Sequence, residues 1–396
     1  MITENDITQK FTSIHSKLPK IVVLGLGGAG SNAVNRMIEN GMQGVTFVAA
    51  NTDAQALSSN LAPNKIQLGP RSTRGLGAGG LPTVGETAAE ESYRELVSIL
   101  EGAEMVFLTA GMGGGTGTGS IAIAAKVAKA VGAVTVAIVT KPFYFELGRR
   151  QKNAELGLQK LRQYTDTLIV IPNDRLIDVA PRDLPLEMAF SLADDVLRQG
   201  VQGIAELITE TGIINVDFAH IKHIMKRGGG ALMAVGTGEG PNKVEEAIHK
   251  ALHHPLLEEI DLVSASAMIA NFTGGDDLTF REITEAMQTL QASANNHAEI
   301  IPGVINDPRM KDRVQVILIV TGVSGIRIEE AFSKIDNTKE NNYEETILSA
   351  NRPGQEFSVL RNSQPQNNPN QYMPQVDFNK NLDIPAFLRK RCQITQ

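Results

Sequence analysis

Short, uninterrupted apolar runs recur through the first half of the chain, and most are followed by a loop and then by apolar residues at helical spacing. The runs lie at residues 21–24, 45–50, 105–110, 134–140 and 168–171. Continuous apolar runs of this length are typical of strands buried on both faces of a parallel sheet. The pattern therefore predicts an α/β domain over residues 19–184.

A longer apolar pattern at residues 187–210 predicts one helix of roughly 36 Å. Its apolar positions are spread too widely for a single stripe, so we expect several of its sides to be buried. We assign residues 185–212 to this helix as a spine between two domains. Gly212 is placed to end it.

Beyond the long helix, shorter strand and helix patterns alternate and predict a second, smaller α/β domain over residues 213–325. Its last two apolar runs, residues 298–305 and 313–321, are predicted to form a closing pair of strands. His249, His253 and His254 lie near a helix end in this domain. Histidines that compensate the helix dipole are favoured there over a metal site.

The two ends of the chain differ from the domains in composition. Residues 1–18 are predicted to be a flexible arm, and residues 326–380, rich in Asn, Gln, Glu and Pro, a disordered linker. Residues 381–396 are apolar and then basic. They predict a short motif that folds into a partner's groove through Ile384, Phe387 and Leu388. A frayed terminus is the alternative.

Composition narrows the classes of function. The 396 residues are 42% hydrophobic and 20% charged, which is ordinary for a globular protein, and the net charge of −7 argues against a nucleic-acid partner. The single cysteine, Cys392, cannot form an internal disulfide, so a reducing cytosol fits. The polar start and the lack of a long apolar stretch predict a cytoplasmic protein without direct membrane insertion.

The most informative stretch is residues 111–119, in which six of nine residues are glycine. It follows one predicted strand and precedes a helix, a layout that lets backbone N–H groups and a helix N-terminus meet a phosphate. Thr116 and Thr118 can add hydroxyl donors. The stretch has no lysine, which excludes the usual phosphate loop. A flexible linker is the alternative, but the ordered flanks argue against it.

Two further glycine loops precede this one. Residues 25–30 read GLGGAG between a strand and a helix predicted to begin at Ser31, which matches the dinucleotide-binding pattern. An NAD enzyme would need an acidic residue about 20 residues on, and Asp53 is placed to supply it. The loops at residues 74–80 and 111–119 have no role in such an enzyme. Three glycine loops instead suit a triphosphate wrapped by backbone amides.

The sequence GGGTGTG at residues 113–119 is the signature of the tubulin/FtsZ GTPases, and the chain resembles the bacterial FtsZ proteins over residues 19–323 and at its tail. The resemblance implies a Rossmann-like GTPase domain with a parallel sheet, a long central helix and a smaller second α/β domain. It also implies GTP or GDP as ligand, with Mg²⁺ carried by the nucleotide and no protein metal ligand that can be named.

The resemblance assigns contacts to the nucleotide phosphates. The residues it implies for the three loops are Gly27, Gly28, Ala29, Asn32, Gly79, Gly80, Gly114, Gly115, Thr116 and Gly117. Family members often have glycine where Ala29 and Ser31 stand here, a departure that small residues should tolerate.

It also assigns contacts to the ribose and the base. Glu146 and Arg150 correspond to ribose and phosphate-side contacts, with a solvated surface pair as the alternative. Asn173 matches a base-contacting position. Phe190 is placed to stack on the base, or is simply a core aromatic. Asp195 is predicted to accept two hydrogen bonds from guanine, although spacing alone favours a pair with Arg198.

The catalytic residues implied by the family motif are Asn215, Asp217 and His220, on a loop that reaches the γ phosphate bound by the next subunit. His220 stands where the family has a second aspartate. We expect slow hydrolysis as a result, since one acid or base group is worth a factor of roughly 10²–10⁴, and a faster His220→Asp variant. Alternatively, Asp217 only caps a helix and His220 lies on its surface.

The resemblance implies a self-polymerising GTPase that forms head-to-tail filaments in the division ring at midcell. Its tail would bind membrane-tethering and regulatory division proteins, with many weak contacts adding to avidity. A GTP-gated scaffold with little hydrolysis is the alternative that His220 keeps open. An NAD-binding enzyme is a distant third.

Overall fold

The computed structural model describes residues 19–322 apart from residues 147, 178–182, 211, 215, 227–229, 256, 258–261, 263–264 and 295–296. The predicted arm, linker and tail peptide, with Ile384, Phe387 and Leu388, therefore lie outside the described residues, as does Asn215.

The strands form one continuous mixed sheet. They are β1 (Ile21–Leu26), β2 (Thr46–Asn51), β3 (Asn64–Gln67), β4 (Met105–Gly111), β5 (Val134–Lys141), β6 (Thr167–Pro172), β7 (Gly230–Glu239), β8 (Ala267–Gly274), β9 (Glu299–Asn306) and β10 (Arg313–Thr321). Their order across the sheet is β3-β2-β1-β4-β5-β6-β7-β10-β8-β9.

Helices connect the strands and cover the sheet. They are α1 (Gly27–Glu39), α2 (Ala54–Ser58), α3 (Pro82–Glu91), α4 (Tyr93–Leu100), α5 (Thr116–Ala130), α6 (Arg149–Arg162), α7 (Asn173–Ile177), α8 (Leu186–Thr209), α9 (Phe218–Lys226), α10 (Lys243–Leu252) and α11 (Phe280–Ser293).

Strands β1 to β6 pair in parallel, as their continuous apolar runs predict, and β7 continues the sheet beside β6. The junction is short, because only Leu168 and Ile169 of β6 pair with Gly230 and Ala231 of β7. The predicted fold class, an α/β structure with a parallel sheet and further α/β elements after a long helix, is confirmed.

The predicted closing pair of strands is wrong. Strand β10 pairs antiparallel with both β7 and β8, whereas β9 pairs in parallel with β8 at the edge of the sheet. Two features explain the order. Residues 316–321 of β10 are all buried, and exposure is confined to the start of the strand. This burial suits an interior position in the sheet. Strand β9 contains Pro302, which cannot donate to a second neighbour and is tolerated at an edge.

Helix α8 packs against strands from both parts of the sheet. A Cβ on Gly200 would lie 3.0 Å from Met233 Sδ and 3.2 Å from Ile138, and one on Gly203 would lie 2.8 Å from Ile317. The helix therefore crosses β5, β7 and β10 closely. It ends at Thr209, with Glu210 already extended, so Gly212 does not end the helix as predicted.

Candidate active site

The carboxyl ends of the neighbouring strands β1 and β4 bring two helix N-termini together. Helix α1 begins at Gly27, directly after β1 and four residues earlier than the predicted Ser31, and α5 begins at Thr116. Among these described residues neither helix has a side-chain N-cap or an acidic residue in its first turn. The first N–H groups of both helices and their positive dipole ends are thus directed at one place, which favours an anion.

The three glycine loops form one continuous surface. A Cβ on Gly27 would lie 2.7 Å from Gly117 N, and one on Gly115 would lie 2.8 Å from Ala78 Cβ and 3.1 Å from Gly80 N. These contacts are too close for any side chain. Glycine is therefore required where the loops touch each other.

Other glycines in the loops face open space. Hypothetical Cβ atoms on Gly28, Gly79, Gly80 and Gly114 would have no atom within 4 Å. The loops therefore expose bare backbone on their open side. Asn153 of α6 links two of them, since its Nδ2 donates to Gly80 O at 3.4 Å and Gly113 O at 3.3 Å. The surface is preorganised for phosphates.

The two threonines of the signature loop have different surroundings. The Oγ1 atoms of Thr116 and Thr52 lie 2.6 Å apart, so the Thr116 hydroxyl is oriented by Thr52, which directly follows β2. The Thr118 hydroxyl is buried and accepts a hydrogen bond from Gly113 N at 2.8 Å. The Thr118 hydroxyl therefore stabilises the loop itself. Thr116, beside Gly115 and Gly117, remains a candidate for the predicted phosphate contacts.

Glu146 and Arg150 form an ion pair next to the signature loop. The Glu146 side chain is only 8% exposed and accepts a hydrogen bond from Phe143 N at 2.9 Å. A Cβ on Gly113 would lie 2.8 Å from Arg150 O, so the start of α6 borders the loop. A solvated surface pair does not describe a carboxylate this buried.

Aromatic rings gather beside these groups. Phe190 of α8 lies edge-on to Phe143, with ring centroids 5.3 Å apart, and Phe145 stacks on Phe143 at 5.2 Å. Phe190 is 39% exposed, so it is not a core aromatic. Asn173 is buried, and its Oδ1 atom has no hydrogen-bond partner within the described part of the chain. This region offers an aromatic face and an amide acceptor.

Asp195 does not face this region as an open acceptor. Its carboxylate accepts hydrogen bonds from Arg198 Nε at 2.6 Å and from Gln199 Nε2 at 2.7 Å. The pair with Arg198 that helical spacing favours is therefore present. The predicted guanine contact of Asp195 would require this carboxylate to leave both partners.

The adjacent residue, Asp194, is a second carboxylate of α8 and is buried. It follows Phe190 by four residues and so shares its face of α8. Its side chain is 13% exposed and lies 4.0 Å from Arg36 Nε. Burial raises the pKa of Asp194 to about 6, opposed by the Arg36 charge and a hydrogen bond from Asn32. Sequence reasoning missed Asp194, although the spacing from Phe190 could have distinguished the two aspartates.

The carboxylate of Asp53 is hydrogen-bonded to the helix that follows it, which does not suit a ribose contact. Its carboxylate caps α2 by accepting hydrogen bonds from Gln55 N at 2.9 Å and Ala56 N at 3.0 Å. The feature that supported an NAD enzyme is therefore a helix cap.

The segment proposed for catalysis lies at the other end of α8. That helix has 24 residues and is roughly 36 Å long, with Phe190 and Asp194 in its first turns. Asp217 is exposed and caps α9 by accepting from Ala219 N at 3.1 Å. His220 is exposed, and its Nε2 lies 2.6 Å from Glu299 Oε1 of β9. The structure therefore does not bring Asp217 and His220 to the loops of their own subunit.

The histidines of the second part of the sheet form no metal centre. The rings of His249 and His253 stack with centroids 4.1 Å apart, and burial lowers the pKa of His254. Within the described ranges, no group of three or more His, Cys, Asp or Glu side chains could hold a metal ion. No helix in the same ranges is long and apolar enough to cross a membrane.

A mixed sheet with three glycine loops at the carboxyl ends of its parallel strands, and a long helix leading from them to a second group of strands, defines the class of tubulin-like nucleotide-binding proteins. Residues 20–181 match the Tubulin/FtsZ family GTPase domain, and residues 229–324 match the FtsZ family C-terminal domain.

Solved structures agree. An empty FtsZ dimer from M. jannaschii is 42% identical over 83% of this chain and 95% of that chain, with a TM-score of 0.78. A tryptophan-to-tyrosine variant of M. jannaschii FtsZ is 43% identical over 81% and 96%, with a TM-score of 0.76. A GTPγS-bound protofilament of CetZ2 from Haloferax volcanii is 21% identical over 81% and 99%, with a TM-score of 0.66, which shows the shared fold.

The chain belongs to the tubulin/FtsZ family and is a GTPase. The predictions of this family, of GTP or GDP as ligand and of a cytoskeletal protein of cell division are confirmed. Membership of the bacterial FtsZ proteins stays a prediction.

Proposed function

We propose that this protein assembles head to tail into filaments and hydrolyses GTP at the contacts between subunits, as the polymer of a cytoplasmic division ring at midcell. The single observation that carries the proposal is the separation along α8. The glycine loops and Asp194 lie near its N-terminal end, and Asp217 follows its C-terminal end, roughly 36 Å away. A subunit therefore cannot bring Asp217 to its own nucleotide.

Head-to-tail stacking resolves this separation. One subunit presents its loops and the next presents Asp217, so each contact joins two different surfaces and the chain of contacts continues as a filament. The M. jannaschii FtsZ dimer and the Haloferax volcanii CetZ2 protofilament support self-association of this kind. The site exists only where two subunits meet.

In the nucleotide half of the site, the N-termini of α1 and α5 bind the phosphates through backbone N–H groups. The residues proposed for this are Gly27, Gly28, Ala29, Gly79, Gly80, Gly114, Gly115, Thr116 and Gly117. No carboxylate lies in the first turn of either helix among the described residues. Mg²⁺ is proposed to be carried by the nucleotide, where it would neutralise phosphate charge.

In the base half of the site, we assign guanine recognition to Asp194 in place of Asp195. A carboxylate can accept hydrogen bonds from guanine N1–H and from its 2-amino group, and adenine has no such pair of donors. Asp194 is buried, next to Asn32, on the face of α8 that carries Phe190. Glu146 and Arg150 border the ribose and phosphates, and Asn173 offers its unpartnered Oδ1 to the base.

The facing subunit supplies the hydrolytic half. Asp217 is an exposed carboxylate held at the start of α9, and it would orient and polarise the attacking water. Asn215, which lies outside the described residues, is proposed to hold the same water. Water oxygen bonds to the γ phosphorus, the bond to the β–γ bridging oxygen breaks, and GDP and phosphate leave.

A GTP-gated scaffold with little hydrolysis is the second candidate, favoured by His220 in place of an expected carboxylate. Phosphate release from GTP and Mg²⁺ over a range of protein concentrations separates the two. The proposal predicts almost no release per molecule below a threshold concentration and a steep rise above it, where filaments sediment. Filaments that sediment with GTP but release no phosphate would establish the scaffold instead.

Partner recruitment is proposed for the tail on the chemistry of its sequence. Ile384, Phe387 and Leu388 supply apolar anchors that a partner's groove can bind, followed by three basic residues. Replacing the three anchors with alanine should leave GTP hydrolysis unchanged and remove the protein from the division site in cells. Unchanged localisation of that variant would contradict the assignment.

A further inference from the structure

The segment between α8 and α9 is attached to β9 at two places. Ile213 N donates to Val304 O at 2.8 Å, and Val304 N donates to Ile214 O at 3.4 Å. A Cβ on Gly212 would lie 2.4 Å from Val304 O, so glycine is required for this close approach. The second attachment is the contact of His220 with Glu299. Asp217 lies between them.

This arrangement gives β9 a role in holding the segment. A short exposed loop with a single attachment would sample many directions, whereas attachment before and after Asp217 restricts it. Strand β9 is itself fixed by its pairing with β8 from Glu299 to Asn306. Strand β9, which lies far from this segment in the sequence, thus fixes the positions of Asp217 and His220.

The contact between Glu299 and His220 also sets the chemistry of the imidazole. A carboxylate can only accept a hydrogen bond, so the 2.6 Å contact places a proton on Nε2. Neutral imidazole then has its lone pair on Nδ1. A carboxylate that fixes the tautomer of a histidine and stabilises the imidazolium is the arrangement that makes histidine an effective base in hydrolases.

We propose that Glu299 is a positioning residue for GTP hydrolysis, and that Glu299 and His220 together replace the family's second aspartate. The inference rests on the proposed function. Nδ1 of His220 accepts a proton from the attacking water as the water oxygen bonds to the γ phosphorus of the neighbouring subunit's GTP. The bond to the β–γ bridging oxygen breaks, GDP leaves with the electron pair, and the proton is later released to solvent.

The other charged or titratable side chains on α9 and just before β9 make different contacts or are exposed. Asp217 caps α9, and Lys222 Nζ lies over the Phe218 ring at 5.8 Å from its centroid. His223 follows on α9 and His297 precedes β9, both exposed. Among the described contacts, the carboxylate within hydrogen-bonding distance of the His220 ring is that of Glu299.

The test is GTP turnover of Glu299→Gln and Glu299→Asp above the assembly threshold. Glutamine lacks the charge and can donate to Nε2, which would move the imidazole proton to Nδ1. We expect kcat to fall by about tenfold or more in Glu299→Gln, with GTP affinity and the assembly threshold unchanged. Glu299→Asp keeps the charge and should retain more activity. The matched control is Glu285→Gln, which breaks an exposed pair with Arg281 and should leave kcat unchanged.

A kcat for Glu299→Gln within twofold of wild type would overturn the inference while the proposed function stood. Absence of turnover in the wild type itself would defeat the proposed function instead. A second measurement does not depend on variants of Glu299: the ¹⁵N spectrum of the histidine rings in the GDP-bound wild type, with the His220 signals assigned from a His220→Gln variant. The inference predicts the Nε2–H tautomer, and the Nδ1–H tautomer would contradict it.

Discussion

The cleft proposed to hold the nucleotide and the segment proposed to face a neighbour's nucleotide are built from different groups. The cleft is mainly backbone: three glycine loops in contact with one another and two helix N-termini. The facing segment is mainly side chain, with Asp217 as a helix cap and His220 against Glu299. Each glycine loop of the cleft can be recognised from its own local sequence, whereas the side chains of the segment are held by a contact between residues 79 positions apart.

The difference predicts how each region responds to mutation. A backbone surface tolerates few side chains because a methyl group either collides with another loop or fills the space for phosphate. A side-chain site can be changed without loss of fold, because its groups are exposed and lie at the surface. Variants of the cleft should therefore alter folding or binding, and variants of the segment should alter the rate of hydrolysis.

The largest effect is expected for Gly119→Ala. Its Cβ would lie 2.0 Å from Pro82 O and 2.6 Å from Glu86 N, where α3 packs against α5. Backbone cannot move aside as a flexible side chain can, so we expect a loss of about 3 kcal/mol or more in the free energy of unfolding, measured with urea.

Gly28→Ala is the matched variant of the same region. Its Cβ would meet no atom within 4 Å, and its backbone is not left-handed. We expect normal stability and weaker GTP binding, because the methyl group enters the space for phosphate. Equal stability of the Gly119→Ala and Gly28→Ala proteins would contradict the description of the loops.

Asp217→Asn tests the facing segment. Asparagine caps helices about as well as aspartate, so α9 should remain intact. Loss of the carboxylate should lower kcat by roughly 10²-fold or more, with GTP binding and filament sedimentation unchanged. Stopped-flow phosphate release and equilibrium GTP binding measure the two properties separately. A variant that lost GTP affinity in proportion to kcat would place Asp217 in its own subunit's cleft.

Asp194→Asn tests the assignment of the base contact. Asparagine can accept from xanthine N1–H and donate to the C2 carbonyl, but it lacks the second acceptor that guanine needs. We expect GTP affinity to fall by roughly 100-fold and XTP to become the preferred ligand. Asp195→Asn, the neighbouring control, should keep its preference for GTP. The reverse result would return the guanine contact to Asp195.

The same variant has a pH-dependent effect on stability without nucleotide. The pKa of Asp194 is raised from 3.8 to about 6, so the unfolded chain releases this proton first as pH rises. This group therefore lowers the free energy of unfolding between those values, by up to about 3 kcal/mol above pH 6. Asp194→Asn should be more stable than wild type above pH 6, and the difference should vanish in acid. Urea unfolding at several pH values measures it.

The smallest effect is expected for Thr52→Val. It removes the hydroxyl that lies 2.6 Å from Thr116 Oγ1, so about 1 kcal/mol of stability should be lost. Thr109→Val is the control, because the buried Thr109 hydroxyl has no hydrogen-bond partner within the described residues and its loss should cost little. A urea midpoint that falls further in Thr109→Val than in Thr52→Val would contradict the assigned contact.

Local signals predicted the cleft well. Each glycine loop could be located because it lies between a predicted strand and a predicted helix, and residues 113–119 carry a distinctive spacing. The alternation of apolar runs likewise predicted the parallel half of the sheet. These features depend on residues close in sequence.

Long-range features were predicted less well. The position of β10 between β7 and β8 depends on pairing between strands that are far apart in the sequence. Pro302 is a local sign that β9 is an edge strand. Asp194 and Asp195 differ only in helical phase relative to Phe190. The contact of His220 with Glu299 could not be predicted from the local sequence. It also changes the interpretation of a single His220→Asp variant, because the new carboxylate would face Glu299.

Mixing two proteins tests most directly whether each active site is shared between two subunits. The double variant Asp194→Asn/Asp217→Asn binds XTP but lacks the catalytic carboxylate, and wild type supplies that carboxylate but does not bind XTP. With GTP and labelled XTP present, we expect that neither protein alone hydrolyses XTP and that mixed filaments do. Cosedimenting mixtures without XTP hydrolysis, while Asp194→Asn alone hydrolyses it, would contradict the shared site.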